Sequence, residues 1–241
     1  TGSFNKMLSR LDDAFTAQKQ FSASAAHELR TPLAVMQTNL EVFARKNAPT
    51  VKEYQELFGM IQDQTGRLSH LSEVLLDMTG IQSIERSDSI SLAELADEVC
   101  CDLASIADQK KVELIQEEGD CTVTGSYLLL YRAVYNLVEN AIKYNHSGGK
   151  VTVKISQTKA LSAAHSKPTD YALVEVTDTG IGISPEFQEK IFDPFFRVDK
   201  SRSRAMGGAG LGLALVNEIA RQHGGQVKVL ASSEQGSTIA L

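Results

Sequence analysis

Phe21-Ser22-Ala23-Ser24-Ala25-Ala26-His27-Glu28-Leu29-Arg30-Thr31-Pro32-Leu33 is the stretch on which the reading of the fold turns. Ala25, Leu29 and Leu33 belong to a longer series, Leu8, Leu11, Phe15, Gln18, Ser22, Ala25, Leu29, Leu33, Met36, Leu40 and Phe43. These positions are three and four apart, the spacing of a coiled-coil seam. A long helix over residues 4–46 is therefore predicted. At about 100° per residue His27 turns away from Ala25 and Leu29 and faces solvent. Thr31 shares its side of the helix, Arg30 and Ser24 flank it, and its neighbours Ala23 and Ala26 are small. Pro32 lacks an N–H and crowds the carbonyl of Glu28, so a kink or weakened turn is expected just after the histidine. An exposed neutral imidazole is a competent nucleophile, and Glu28 can accept or orient its ring proton.

Working outward, Lys46-Asn47-Ala48-Pro49-Thr50 reads as a turn, with Thr50 as the N-cap of a second helix. That helix has its own seam at Tyr54, Leu57, Ile61, Gln64, Leu68, Leu71, Leu75 and Met78. Two such helices joined by a short loop make an antiparallel hairpin. One hairpin does not bury both seams, so pairing of two copies into a four-helix bundle is expected.

The pattern changes at Ser87-Asp88-Ser89. Beyond it a helix is predicted over 92–109, short strands over 112–115 and 121–124, and a helix capped by Ser126 that runs to Tyr144. Val151, Val153 and Ile155 alternate with Thr152 and Lys154, as in a half-buried strand. Residues 161–170 read as a loop, 171–177 as a strand, 197–209 as a polar Arg- and Gly-rich loop before a helix to Gln222, and 226–230 with 237–241 as a closing hairpin. The expected fold is multidomain, α then α+β: a helical hairpin followed by an α/β sandwich of one mixed sheet and one helical layer.

Four clusters in this second part carry chemistry. Asn136, Asn140 and Lys143 share one helical face, while Leu137, Val138, Ala141 and Ile142 supply the buried stripe. Amide oxygens can ligate Mg²⁺ and an ammonium can meet phosphate. Asp178-Thr179-Gly180-Ile181-Gly182 follows a strand; its glycines permit close backbone approach, and Asp178 can accept from an exocyclic amine. Phe192-Asp193-Pro194-Phe195-Phe196-Arg197 reads as an apolar anchor for the loop after it. Gly207-Gly208-Ala209-Gly210-Leu211-Gly212-Leu213 runs into a helix, whose N-terminal N–H groups can cradle phosphate. Neither the P-loop nor the dinucleotide glycine spacing is present.

The run His27-Glu-Leu-Arg-Thr-Pro-Leu resembles the H-box of sensor histidine kinases, and the four clusters resemble, in order, the N, G1, F and G2 boxes of their ATP-binding domain. That domain shares the Bergerat-type fold with gyrase, Hsp90 and MutL ATPases. The resemblance implies phosphorylation of His27 assisted by Glu28, and a phosphatase role for Thr31. It implies ATP held by Asp178 at adenine with Tyr144 beside the base and Gly180 and Gly182 in the loop. Mg²⁺ would sit on Asn140 helped by Asn136. Lys143, Arg197, Arg202 and the backbone of Gly208, Gly210, Leu211, Gly212 and Leu213 would meet the phosphates, with Phe195 at the hinge of the lid. Two departures are visible: Ala209 stands where Thr is common, and Ser126 where Asp is common. Implied partners are a second copy of the chain, as a homodimer, and the receiver domain of a response regulator. Ser3-Phe4-Asn5-Lys6-Met7 and Leu11 resemble the end of a HAMP linker. The expected divisions are 1–16 linker, 17–86 dimerisation and phosphotransfer, and 87–241 catalysis.

Among 241 residues the net charge of -6 argues against nucleic acid as a partner. No apolar run approaches the roughly 20 residues of a membrane span. The chain begins Thr1-Gly2-Ser3 without Met, so it is expected to be a cytoplasmic piece, without membrane contact of its own, of a protein anchored in a bacterial inner membrane. Cys100, Cys101 and Cys121 lack metal-ligand spacing and read as reduced thiols. Two other classes compete. A stand-alone ATPase of the related fold would leave the hairpin unexplained and would carry a Glu base where Asn136 stands. A nucleotide-binding scaffold would have no use for the catalytic residue types.

Overall fold

A computed structural model describes residues 2–161, 168–198 and 209–241. The chain divides into two compact units that part between Leu76 and Asp77.

The first unit is the expected hairpin. Helix α1 spans Gly2–Ala44 and α2 spans Val51–Gly80. The turn between them carries Ala48 at φ 100°, and α1 ends at Ala44, short of the expected Lys46. Thr50 begins α2 with a reciprocal cap. Its hydroxyl accepts from the Glu53 N–H at 3.3 Å, while the Glu53 carboxylate accepts from the Thr50 N–H at 2.8 Å. Lys46 closes the turn on Glu53 at 2.5 Å, and Phe43 meets Tyr54 edge-on with ring centroids 4.9 Å apart. Together with the Thr50 bonds, Lys46 holds the Glu53 carboxyl down at about 2.

Two expectations about α1 change. The helix is continuous through Pro32, so the weakened turn amounts to the one hydrogen bond that proline cannot donate. Pro32 is itself buried, whereas Leu33 and Leu40 are about half exposed. The seam is wide enough to split: Leu29, Pro32 and Met36 turn inward, while Leu11, Phe15, Leu33 and Leu40 keep an apolar strip open to solvent.

The second unit is an α/β sandwich. Its sheet has the order β2-β4-β5-β7-β6, from β2 (Glu113–Gln116), β4 (Lys150–Leu161), β5 (Pro168–Asp178), β6 (Lys228–Ser233) and β7 (Gly236–Ala240). Only the β2–β4 pair is parallel, so the sheet is mixed. A small antiparallel pair, β1 (Asp88–Ser91) with β3 (Thr122–Gly125), stands apart. The helical layer consists of α3 (Leu92–Lys110), α4 (Tyr127–Lys143) and α5 (Gly212–Gln222). Val151, Val153 and Ile155 are buried in the core, as are Leu129, Leu137 and Ile142 of α4, Leu95 and Leu103 of α3, and Leu215 and Ile219 of α5. Apolar burial of this kind contributes about 25 cal/mol per Å² and holds the layers together.

Segments expected to be loop or capped locally turn out otherwise. Strands β4 and β5 pair as far as Leu161 with Pro168, so most of the described part of the expected loop over 161–170 is ribbon. The cross-strand partners Gln157–Ala172 and Thr158–Tyr171 carry the pairing past the end of the sheet. Residues 162–167 lie outside the described residues. Ser126 occupies the N-cap position of α4 but makes no side-chain cap bond. Its N–H donates to His223 Nε2 at 3.2 Å, and the Tyr127 N–H is accepted instead by Asp88 Oδ2 at 3.2 Å. The acceptor comes from a strand rather than from the helix's own first residue. The three cysteines are unpaired.

Candidate functional site

The residues expected to bind nucleotide converge around the C-terminal half of α4. Asn136, Asn140, Lys143 and Tyr144 are half-exposed along one edge, while Leu137, Val138 and Ile142 are buried. Each asparagine returns its amide N–H to the backbone one turn earlier. Asn136 Nδ2 donates to the Arg132 carbonyl at 2.8 Å, and Asn140 Nδ2 donates to the Asn136 carbonyl at 2.9 Å. That commits one N–H of each amide. Amide oxygens are of the type that can ligate Mg²⁺, a cation that takes few protein ligands and completes its shell with phosphate and water.

Gly212, in the first turn of α5, comes directly against this edge. A Cβ there would lie 2.5 Å from Asn136 Oδ1 and 3.6 Å from Asn140 Nδ2. Any side chain would push the helix start away from the asparagines. The N–H groups of an α-helix N-terminus, with its partial positive charge, thus lie beside the Asn136 amide oxygen and the Asn140 amide group. Leu211 is buried and fixes this start, while Leu213 is half-exposed. Phe195 has φ 64° and its N–H donates to the Gly210 carbonyl at 2.8 Å, so the two ends of the segment between them meet. Phe187 and Phe196 meet at a tilt of 48° with centroids 5.7 Å apart. Arg197 is half-exposed. Gly208 and Arg202 fall outside the described residues.

Asp178 ends β5 at the same side. Burial pushes its carboxyl upward, opposed by backbone N–H groups of Gly180 and Ser237. The Gly180 N–H reaches Oδ1 at 2.8 Å. With two N–H groups upon it, the carboxylate keeps acceptor capacity for a ligand, since its two oxygens offer about four lone-pair sites. The loop after it leans on the end of α4: the Ile181 N–H donates to the Tyr144 carbonyl at 3.3 Å, and a Cβ on Gly180 would come within 2.5 Å of that oxygen. Gly182 has φ +68°, and a Cβ on it would overlap the Ser233 carbonyl. Lys143 Nζ lies 6.0 Å from the centre of the Tyr144 ring.

Several residues of this site carry no local signal in the sequence. The Thr179 hydroxyl accepts from the Lys150 N–H at 2.8 Å and donates to Asn145 Oδ1 at 3.2 Å, and Asn145 Nδ2 donates to the Lys150 carbonyl at 2.9 Å. This network latches the end of α4 to the Asp178 loop. Ser232 and Ser237 brace the same loop from the far side.

In the first unit His27 is exposed and Glu28 half-buried. Thr31 Oγ1 donates to the His27 carbonyl at 3.1 Å. His27, Arg30, Thr31, Ala34, Val35, Thr38 and Asn39 line one open hollow of about 440 Å³. The structure thus brings His27, Arg30 and Thr31 to one surface, as the helical phase predicts. Among the described residues no helix is long and apolar enough to cross a membrane.

Residues 17–84 match the family described as His Kinase A (phospho-acceptor) domain, and residues 125–241 match Histidine kinase-, DNA gyrase B-, and HSP90-like ATPase. The chain is 34% identical over 230 residues to sensor histidine kinase CusS of Escherichia coli, covering 94% of this chain and 46% of that protein. It is 32% identical over 229 residues to sensor histidine kinase RppB of Synechocystis, covering 93% of this chain and 48% of that one. The chain thus spans about half the length of these curated relatives. In fold it is similar to histidine kinase ThkA, solved in complex with the response regulator protein TrrA, with TM-score 0.69 and 21% identity over 95% of this chain and 62% of that one.

The Gly182 geometry yields a test. Gly182→Ala is expected to weaken binding of a non-hydrolysable ATP analogue by about tenfold, because the alanine must hold a left-handed conformation against a carbonyl. Isothermal titration measures it, and an unchanged affinity would remove this loop from the nucleotide site.

Proposed function

Because the chain belongs to the sensor histidine kinases, we propose that it uses ATP to phosphorylate its own His27 and passes the phosphoryl group to an aspartate of a response-regulator receiver domain. The observation that carries this reading is the seat of Gly212 against Asn136, which sets an α-helix N-terminus beside the Asn136 amide oxygen, with Asn140 next to it. Such a corner suits the triphosphate of a nucleotide and the metal that accompanies it.

In this reading a ring nitrogen of His27 attacks the γ-phosphorus. The N–P bond forms as the P–O bond to ADP breaks, and Glu28 takes or orients the proton on the imidazole. Catalysis is chiefly positioning and charge neutralisation. Asp178 accepts from the exocyclic amine of adenine and Tyr144 lies beside the base. Asn140, assisted by Asn136, holds Mg²⁺, which when bound neutralises phosphate charge. Lys143, Arg197, Arg202 and the N–H groups of the segment from Gly208 to Leu213 hold the phosphate oxygens. Gly180 and Gly182 let the backbone approach the base, and Phe195 anchors the lid.

The division of labour runs at 1–16 for the incoming HAMP-like linker, 17–86 for dimerisation and phosphotransfer, and 87–241 for catalysis. The half-exposed strip of Leu11, Phe15, Leu33 and Leu40 favours a homodimer through a four-helix bundle. A receiver domain docks where His27 and Thr31 face outward; the fold neighbour ThkA was solved in complex with the response regulator protein TrrA. Thr31 aligns water for dephosphorylation of the regulator. The whole protein is anchored in a bacterial cell membrane, with this portion in the cytoplasm.

Three outcomes test the assignment. With γ-labelled ATP, His27→Gln abolishes incorporation of label, and label that survives on the chain refutes the acceptor. Asn140→Ala reduces magnesium-dependent labelling to background; normal labelling would take Asn140 out of the metal site. Thr31→Ala spares labelling but slows loss of phosphate from the regulator, and an equal loss of both activities would deny Thr31 a separate role.

A further inference from the structure

We propose that Ser232, on β6 behind the nucleotide loop, is a positioning residue that sets the aim of Asp178 at the base. The inference rests on the reading that Asp178 accepts from the exocyclic amine of adenine. The Ile183 N–H donates to Ser232 Oγ at 2.7 Å, and Ser232 Oγ lies 2.9 Å from Ser237 Oγ. Ser237 is 5% exposed and faces Asp178 across the β5–β7 ladder. Its backbone N–H is one of the two that oppose the upward push on the Asp178 carboxyl. A part-buried hydroxyl pair between the last two strands therefore holds the loop at its far end, through Ile183, and joins it to the residue whose backbone N–H meets the carboxylate, Ser237.

The near end has a second hold, the Gly180 N–H on Asp178 Oδ1. That N–H belongs to the same turn, so it fixes the carboxylate only as firmly as the turn itself is fixed. Ile181 supplies no such restraint through its side chain, which is 54% exposed. The backbone of Gly182 lies against the Ser233 carbonyl, a contact of shape that leaves sliding along β6 open. Ser232 supplies a directional bond on this side of the loop, at 2.7 Å from the Ile183 nitrogen, opposite the Ile181 N–H bond to the Tyr144 carbonyl. Removing the hydroxyl orphans the Ile183 N–H and leaves Ser237 without its partner. The phosphate end relies on α4 and α5 and has no bond to Ser232, so the loss should fall on the base alone.

The experiment measures equilibrium binding of ATP and of purine riboside triphosphate, which lacks the exocyclic amine, to the full chain and to Ser232→Ala, Ser232→Cys and Ser232→Thr. Autophosphorylation at saturating ATP and thermal unfolding are recorded alongside. Wild type binds ATP more tightly than the amine-less analogue. Ser232→Ala and Ser232→Cys, whose thiol is a weak acceptor, lose about three- to tenfold in ATP affinity and little for the analogue. Discrimination narrows, while the saturated rate stays within about twofold. Ser232→Thr, which keeps the hydroxyl, restores both. Equal losses for the two nucleotides, or wild-type discrimination in the alanine and cysteine variants, would overturn the role of Ser232 and leave that of Asp178 standing. A wild type that does not discriminate at all removes the Asp178 reading, and this proposal with it.

Discussion

The nucleotide end of the molecule depends on the constraint that α4 must be apolar on one side and polar along one edge without losing its helical hydrogen bonds. Leu137, Val138 and Ile142 lock that helix to the sheet, so Asn136 and Asn140 cannot swing inward. Asparagine is a poor helix former because its side chain competes for backbone groups. Here the competition is turned to use. Each amide bonds the carbonyl one turn back, which fixes the rotamer, and at Asn136 leaves the oxygen facing the start of α5. Gly212 can then bring the start of α5 to the same edge. The Asp178 loop closes on the end of α4 through Tyr144 and the Thr179–Asn145–Lys150 network.

Much of this architecture is legible in residue order because it rests on local periodicity. The three-four spacing of the seams produces α1 and α2, and the alternation of Val151, Val153 and Ile155 produces β4. The paired Asn136 and Asn140 announce themselves by their spacing against a buried stripe. What is not legible is whatever depends on partners distant in the chain. Ser126 looks like a cap, yet the acceptor is Asp88. Residues 161–170 read as a loop, yet Leu161 pairs with Pro168, and Thr169 and Asp170 find cross-strand partners in β4. Thr179, Asn145, Ser232 and Ser237 are small polar residues with no pattern of their own, and only the folded sheet brings them to the loop. Pro32 is a subtler case. Its chemistry predicts a break, but one missing bond in so long a helix is offset by burying the ring.

The two units solve opposite problems. His27 needs access, and α1 supplies it by leaving small residues around the ring and an open hollow along Arg30, Thr31 and Val35. The nucleotide needs enclosure and fixed dipoles, and the second unit supplies them by converging three elements on one edge.

The close approach at Gly212 also bears on how the site could be attacked and defended. A helix N-terminus offers backbone N–H groups, which every residue but proline presents alike. An inhibitor that engaged those groups would meet a surface that side-chain replacement barely alters. The replacements that would alter it, at Gly212 or Asn136, disturb the seat on which the natural ligand depends. Resistance by point mutation would therefore have to arise at the rim, leaving the cradle itself a conservative target.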